Sequence, residues 1–379
     1  MCLLRGILIL AVSMSYDRSD KTLDARLPDD ASVGQLLAPL RPFLETPGVT
    51  EVCVNEPCVV FVECDAQWQR HDVSELSFKH CLSLAVAIAS YTNQDISPER
   101  PLLSATLPGG QRIQVVIPPA STRERVSITI RMPSRAIKSL DEFESEGMFE
   151  RLAWRGRERY ACAGERVARL DESDQCLLHC LEDGRYRAFF HEAVRARKNI
   201  AIVGDTGSGK TTFMKTICQS IPTNDRLVTI EDVRELFLPN HPNCVHLLYS
   251  KDGQGLANVT PASLIACTLR MKPDRVLLAE LRGAEAFDFL KLLTTGHAGS
   301  ITSYHAQSCS LAIERFVLMV REHAQASRSD DAALYRLLYL TVDVIAHFVR
   351  EGGRRYVSEI YFDPFNKLEQ SRDALRERA

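Results

Sequence analysis

The stretch Lys198 to Lys215, KNIAIVGDTGSGKTTFMK, limits what this chain can fold into more than any other. A short apolar run, Ile200 to Val203, drops into a loop holding Gly204, Gly207 and Gly209, and then meets Lys210, Thr211 and Thr212. The spacing is GxxxxGK[ST], whose glycines let backbone N–H groups turn inward toward a polyphosphate that a Cβ would block. In that arrangement Asp205, Thr206 and Ser208 complete the loop, Lys210 neutralises phosphate charge, the Thr211 hydroxyl holds Mg²⁺, and Thr212 opens the following helix. That helix points the positive end of its dipole at the anion. Such a pattern arises by chance in about one chain in a hundred of this size, so the loop is read as an ATP or GTP site rather than a Gly-rich turn carrying a solvated lysine.

At 379 residues the chain has room for two domains, each with its own core. A formal net charge of −3 gives no global attraction to nucleic acid or anionic membrane. The twelve cysteines include no CxxC pair. A disulfide framework is not expected in so large a nucleotide-binding chain, and the cytosol is the natural compartment. Cys176, His179 and Cys180 fall at helical spacing and are read as packing residues rather than a metal site. The apolar run Gly6 to Val12 is too short to cross a bilayer. Residues 1–13 are therefore expected to be a start extension ahead of Met14.

Residues 14–135 read as an N-terminal α/β domain. VTEVCVN, CVVFVECD, RIQVVIPP and VSITIRMP are strand-like, and FKHCLSLAVAIASYT is an apolar helix. The charged stretch 136–184 offers no strand pattern and reads as a linker with short helices. From 185 onward strands alternate with helices, with strands expected at Asn199–Val203, Leu227–Glu231, Arg275–Ala279 and Gly299–Tyr304. A hairpin through Gly352-Gly353 follows.

Polar groups cluster after these strands, where an open α/β sheet places its ligand. Glu231 and Asp232 follow one strand, and Glu280 follows another with Arg282 close behind. His297 and His305 flank a small-residue strand. A carboxylate ending an apolar strand beside a phosphate loop can hold Mg²⁺ through water or orient the attacking water. Glu231 and Glu280 suit both jobs; the preferred division puts Glu280 on the metal and Glu231 on the water. His305 at its strand end is the stronger histidine candidate.

GDTGSGKTT, TIEDVREL, MKPDRVLLAELRG and TGHAGSITSYHA, in this order, resemble the Walker A, Asp-box, Walker B and His-box of the hexameric traffic ATPases of type IV secretion systems. The likeness extends to VNEPCVVFVE, RPLLSATLPGGQRIQVVIPPA and VSITIRMPS, and so spans roughly residues 30 to 365. One departure is Cys58, where family members usually carry glycine.

The resemblance implies a RecA-like P-loop ATPase domain preceded by a smaller, PAS-like α/β domain. It implies ATP and Mg²⁺ as ligands, and a homohexamer at the cytoplasmic face of the inner membrane, working with other secretion subunits and without sequence-specific nucleic acid. It also implies that Arg112 and Arg131 reach across from the N-terminal strands to the nucleotide, with Lys210, Glu231, Glu280 and His305 as the catalytic set. A type II secretion or pilus motor is the nearest alternative. Those relatives often carry a tetracysteine zinc insertion, absent here. A DNA-handling RecA-like helicase lacks support, since no aromatic-plus-basic stripe is present.

Overall fold

The computed structural model describes residues 30–64, 67–133, 137–249 and 259–376. The expected start extension lies outside them. No helix among the described residues is long and apolar enough to cross a membrane.

The N-terminal sheet contains β1 (Val49–Glu56), β2 (Val59–Cys64), β3 (Gln67–Asp72), β4 (Leu102–Thr106), β5 (Arg112–Val116) and β6 (Ser127–Arg131). Their order is β3-β2-β1-β6-β5-β4, with every neighbouring pair antiparallel. Side chains alternate with period two, so Val52, Ile130 and Ile113, in register across three strands, share one face. That face packs on the helix Phe78–Tyr91 through Leu84, Ala85 and Ile88. Residues one step along each strand, Glu51, Arg131 and Arg112, take the other face. Cys58 adopts φ 63° in the turn from β1 to β2. This left-handed conformation explains why glycine suits the position and why a cysteine there carries some strain.

The larger sheet contains β7 (Ala153–Arg155), β8 (Ile200–Gly204), β9 (Leu227–Glu231), β10 (Cys244–Leu248), β11 (Arg275–Leu278), β12 (Ile301–Tyr304), β13 (Val344–Glu351) and β14 (Arg354–Phe362). Their order is β10-β9-β11-β12-β8-β13-β14-β7. All neighbours are parallel except the β13–β14 hairpin. Helices cover both faces, and alternation along the strands feeds two cores. Ile200 and Ile202 join Phe213, Phe190 and Phe348 on one side, while Ala201 and Val203 join Phe289, Tyr304 and Phe316 on the other. Strands buried on both faces read as continuous apolar runs, which is why β8, β9 and β11 were visible in the sequence.

Two strands carry a different pattern. β10 exposes Leu248 at the sheet edge, and β7 is a three-residue strand in the stretch that offered no strand pattern. β7 forms because the β14 edge leaves backbone groups to be paired, and its Trp154 indole donates to the Phe362 carbonyl at 3.0 Å. The same stretch holds the short helix Leu140–Ser145, opened by a capping box from Ser139 and Glu142. Phe143, Met148 and Phe149 pack in the core with Phe190 and Phe213.

Candidate functional site: the phosphate loop and the cleft above it

The loop 204–209 lies between β8 and the helix Lys210–Cys218, at the carboxyl ends of parallel strands. Gly204, Gly207 and Gly209 all have positive φ, at 146°, 73° and 102°. A Cβ at Gly204 would lie 2.2 Å from the Phe348 carbonyl oxygen, so the first glycine is demanded by the close approach of β13. Asp205 and Thr206 are exposed on the loop, and the Ser208 hydroxyl is buried without a hydrogen-bond partner among the described residues. Thr211 and Thr212, both half-buried, open the helix.

Lys210 is only 8% exposed. Its Nζ donates to the carbonyls of Gly204 at 2.7 Å and Asp205 at 2.9 Å, which curls the side chain back under the loop. Burial pulls its ammonium down to about 8, against the opposing fields of Glu280 and Asp205. The glycine turns, the buried cation and the unpartnered Ser208 hydroxyl together fit a polyphosphate: a charge and donors are already in place, and no Cβ fills the cradle.

From Lys210 a chain of polar and ionic contacts crosses the cleft. Its Nζ lies 3.5 Å from His305 Nδ1, and His305 Nε2 lies 3.1 Å from Glu280 Oε1. Glu280 Oε2 accepts from Arg282 Nη2 at 2.6 Å and Nε at 3.0 Å. Burial works to raise the Glu280 carboxyl, but Arg282, His305 and Lys210 leave it lowered and ionised. Arg282 Nη2 also reaches Asp232 Oδ2 at 3.1 Å, and Asp232 Oδ1 accepts from Arg112 Nη2 at 2.7 Å. Arg112 lies 3.2 Å from Glu235 as well. Arg112 and Arg131 therefore line one small cavity of about 90 Å³ with Thr206, Lys210, Thr211 and Glu280.

Glu231 lies elsewhere. Its side chain is fully buried, and both oxygens are engaged within its own unit. Oε1 accepts from Thr229 at 2.7 Å and lies 3.2 Å from His246 Nδ1; Oε2 accepts from the backbone N–H groups of Glu235 and Leu236, each at 2.8 Å. Four partners leave it little capacity for water or metal. The acids that do line the cleft after β9 are Asp232 and Glu235. Burial, the largest influence on Glu235, raises its carboxyl, and Arg112 counters only in part. The sequence did not single out Glu235, because it follows the strand by four residues and only the turn 232–236 brings it back over the loop. His297 precedes β12, at the opposite end of that strand from His305.

Residues 177–357 match the family described as Type II/IV secretion system protein. The chain is 45% identical over 361 residues to the type IV secretion system protein VirB11 of Brucella suis, covering 93% of this chain and 97% of that relative. The crystal structure of the VirB11 ATPase from the Brucella suis type IV secretion system, in complex with sulphate, superposes with a TM-score of 0.51 over 90% of this chain and 98% of that one. The Legionella pneumophila ATPase DotB shares the fold at 16% identity and a TM-score of 0.54, over 88% of this chain and 85% of its own. With the strand order of the larger sheet and the phosphate loop at its centre, these likenesses show that the chain belongs to the VirB11 family of type IV secretion ATPases.

Proposed function

We propose that the cleft between the two sheets hydrolyses ATP with Mg²⁺, and that a homohexamer of this chain uses the resulting motion to drive assembly of, or translocation through, a type IV secretion system at the cytoplasmic face of the inner membrane, together with other subunits of that system. The observation that carries this reading is the continuous network of polar and ionic contacts from Lys210 through His305, Glu280, Arg282 and Asp232 to Arg112. It ties the phosphate loop of one sheet to an arginine of the other, as a motor that couples hydrolysis to domain motion requires.

Within that cleft Lys210, the backbone amides of 204–209 and Arg131 bind the phosphates. Thr211 directly and Glu280 through water are the residues that would hold Mg²⁺, which would supply charge neutralisation of the phosphates. We assign the water-activating role to Glu235 rather than Glu231. A carboxylate whose proton affinity is raised by burial accepts a proton from water better than one saturated with donors. Glu231 instead braces the turn that presents Asp232 and Glu235. The contacts of His305 with both Lys210 and Glu280 support a role for it in reporting on the terminal phosphate. We also assign residues 137–184 to the ATPase unit, since Phe143 and Phe149 share its core.

Phosphate release by the purified protein tests the reading. Lys210→Ala should lower kcat by about 10²-fold or more, the scale for removing one preorganised donor. Undiminished turnover in that variant overturns the assignment.

A further inference from the structure

The cleft-facing side of the N-terminal sheet carries an ordered row. Register places Arg112 beside Arg131, Arg131 beside Glu51, Glu51 beside Glu63, and Glu63 beside Trp68. In-register neighbours share a face, so the row runs from two cations through two acids to one indole. Its cationic end lies over Lys210 and Thr211. The remainder opens into a second cavity of about 710 Å³, where Glu51, Glu63 and Trp68 face Gly209, Thr212 and Arg355 of the ATPase unit. The two cavities share Arg131, Thr206 and Gly207, and so adjoin one another.

Trp68 is 52% exposed on an edge strand, an unusual place for the larger apolar side chain of its row. It is one of two tryptophans in the sequence. The other, Trp154, packs on Tyr160 and bonds the Phe362 carbonyl.

We propose that Trp68 stacks on the base of the bound nucleotide, with Glu51 accepting from the ribose hydroxyls and Arg131 and Arg112 on the phosphates. The inference deepens the ATPase reading and rests on it. From Arg131 to Trp68 the row crosses three strand spacings, roughly 14 Å, a span that an extended nucleoside triphosphate bridges. The order of charges sets the direction. Polyphosphate is repelled by Glu51 and drawn to the arginines, which leaves the base at the indole. Glu63 is committed, since its Oε2 accepts from Thr50 at 2.7 Å and its Oε1 lies 3.9 Å from Arg350 Nη2, which makes Glu51 the repelling acid and the ribose partner. Stacking is tolerant of base identity but scales with the area of the π face, so the site favours purines over pyrimidines.

The test uses the full chain carrying Trp154→Phe, in which Trp68 is the only tryptophan. ATP, ADP and tripolyphosphate are titrated with Mg²⁺, following emission and, separately, heat of binding. ATP and ADP should change Trp68 emission, and tripolyphosphate should bind without doing so. Trp68→Ala should weaken ATP binding about tenfold, raise KM with kcat nearly kept, and leave tripolyphosphate affinity unchanged; Trp68→Phe should restore most of the loss. Calorimetric ATP binding with unmoved Trp68 emission overturns the proposal and directs the base to the neighbouring cavity of about 480 Å³ beside Phe143, Met148 and Tyr356. Equal weakening of ATP and tripolyphosphate in Trp68→Ala also overturns it. Failure of the ATPase reading is distinct, because it is read as absent phosphate release, or as release undiminished in Lys210→Ala, whatever Trp68 emission does.

Discussion

Arg112 of β5 donates to Asp232 at 2.7 Å, joining residues 120 positions apart and the two sheets to one another. With Glu235 at 3.2 Å, the guanidinium is held by two carboxylates over the phosphate loop. If Arg112 also binds phosphate as proposed, a triphosphate in the cleft would compete with these acids for the same cation and so link nucleotide binding to the contact between sheets.

Replacing both Arg112 and Arg131 with alanine should therefore leave the fold and the Lys210 site intact while lowering turnover by about 10²-fold. Compaction on binding a non-hydrolysable ATP analogue, followed by small-angle scattering, should be lost at the same time. A double variant that still compacts and turns over normally would mean that the two arginines are ordinary surface residues.

The two acids of the β9 turn should separate cleanly. Glu235→Gln should bind ATP yet release phosphate slowly, with a melting temperature close to wild type. Glu231→Gln should instead lose roughly 1–3 kcal/mol of stability, because an amide cannot match the donors that converge on the buried carboxylate. Thermal melts and phosphate release on both variants suffice. A stable, inactive Glu231→Gln would return the water-activating role to Glu231.

Binding should take up a proton above neutral pH. Burial holds Lys210 at about 8 in the protein alone, and a polyphosphate beside it favours the charged form. ATP affinity should thus fall as pH rises through 8, and calorimetry at pH 8.5 in buffers of different ionisation enthalpy should show proton uptake. Lys210→Ala should abolish that uptake; persistence of the same uptake in the variant assigns the proton to another group.

His246 gives stability its own pH dependence. Its contact with Cys244 and then its pairing with Glu231 raise the imidazole to about 9, against about 6.5 for an unfolded histidine. The folded state binds this proton more tightly, so the contribution is full below about pH 6.5 and is lost as pH rises through about 9. His246→Gln should lower the melting temperature at pH 6.5 and much less at pH 9.5. An equal loss at both values would show that packing, and not the ion pair, is what the substitution removes.

The phosphate loop, the strands β8, β9, β11 and β12, and the closing hairpin were all readable from the chain, because each is a local pattern. Glycines at fixed spacing permit a backbone turn, and continuous apolar runs mark strands buried on both faces. That Lys210, Glu280 and His305 meet beside the loop was legible for the same reason, since each stands beside or just after such a run. Other features had no local signature. β7 became a strand because the β14 edge had backbone groups to pair, and β10 and β3 sit at edges where burial imposes no clean alternation. Glu231 and Glu235 are four residues apart and equally acidic, yet one is sealed under Thr229 and His246 while the other faces Arg112. Only the path of the turn between them decides this. The row from Arg112 to Trp68 is likewise invisible along the chain, because antiparallel register assembles it from five separate strands, and hydrogen bonding between strands carries no marker in the order of residues.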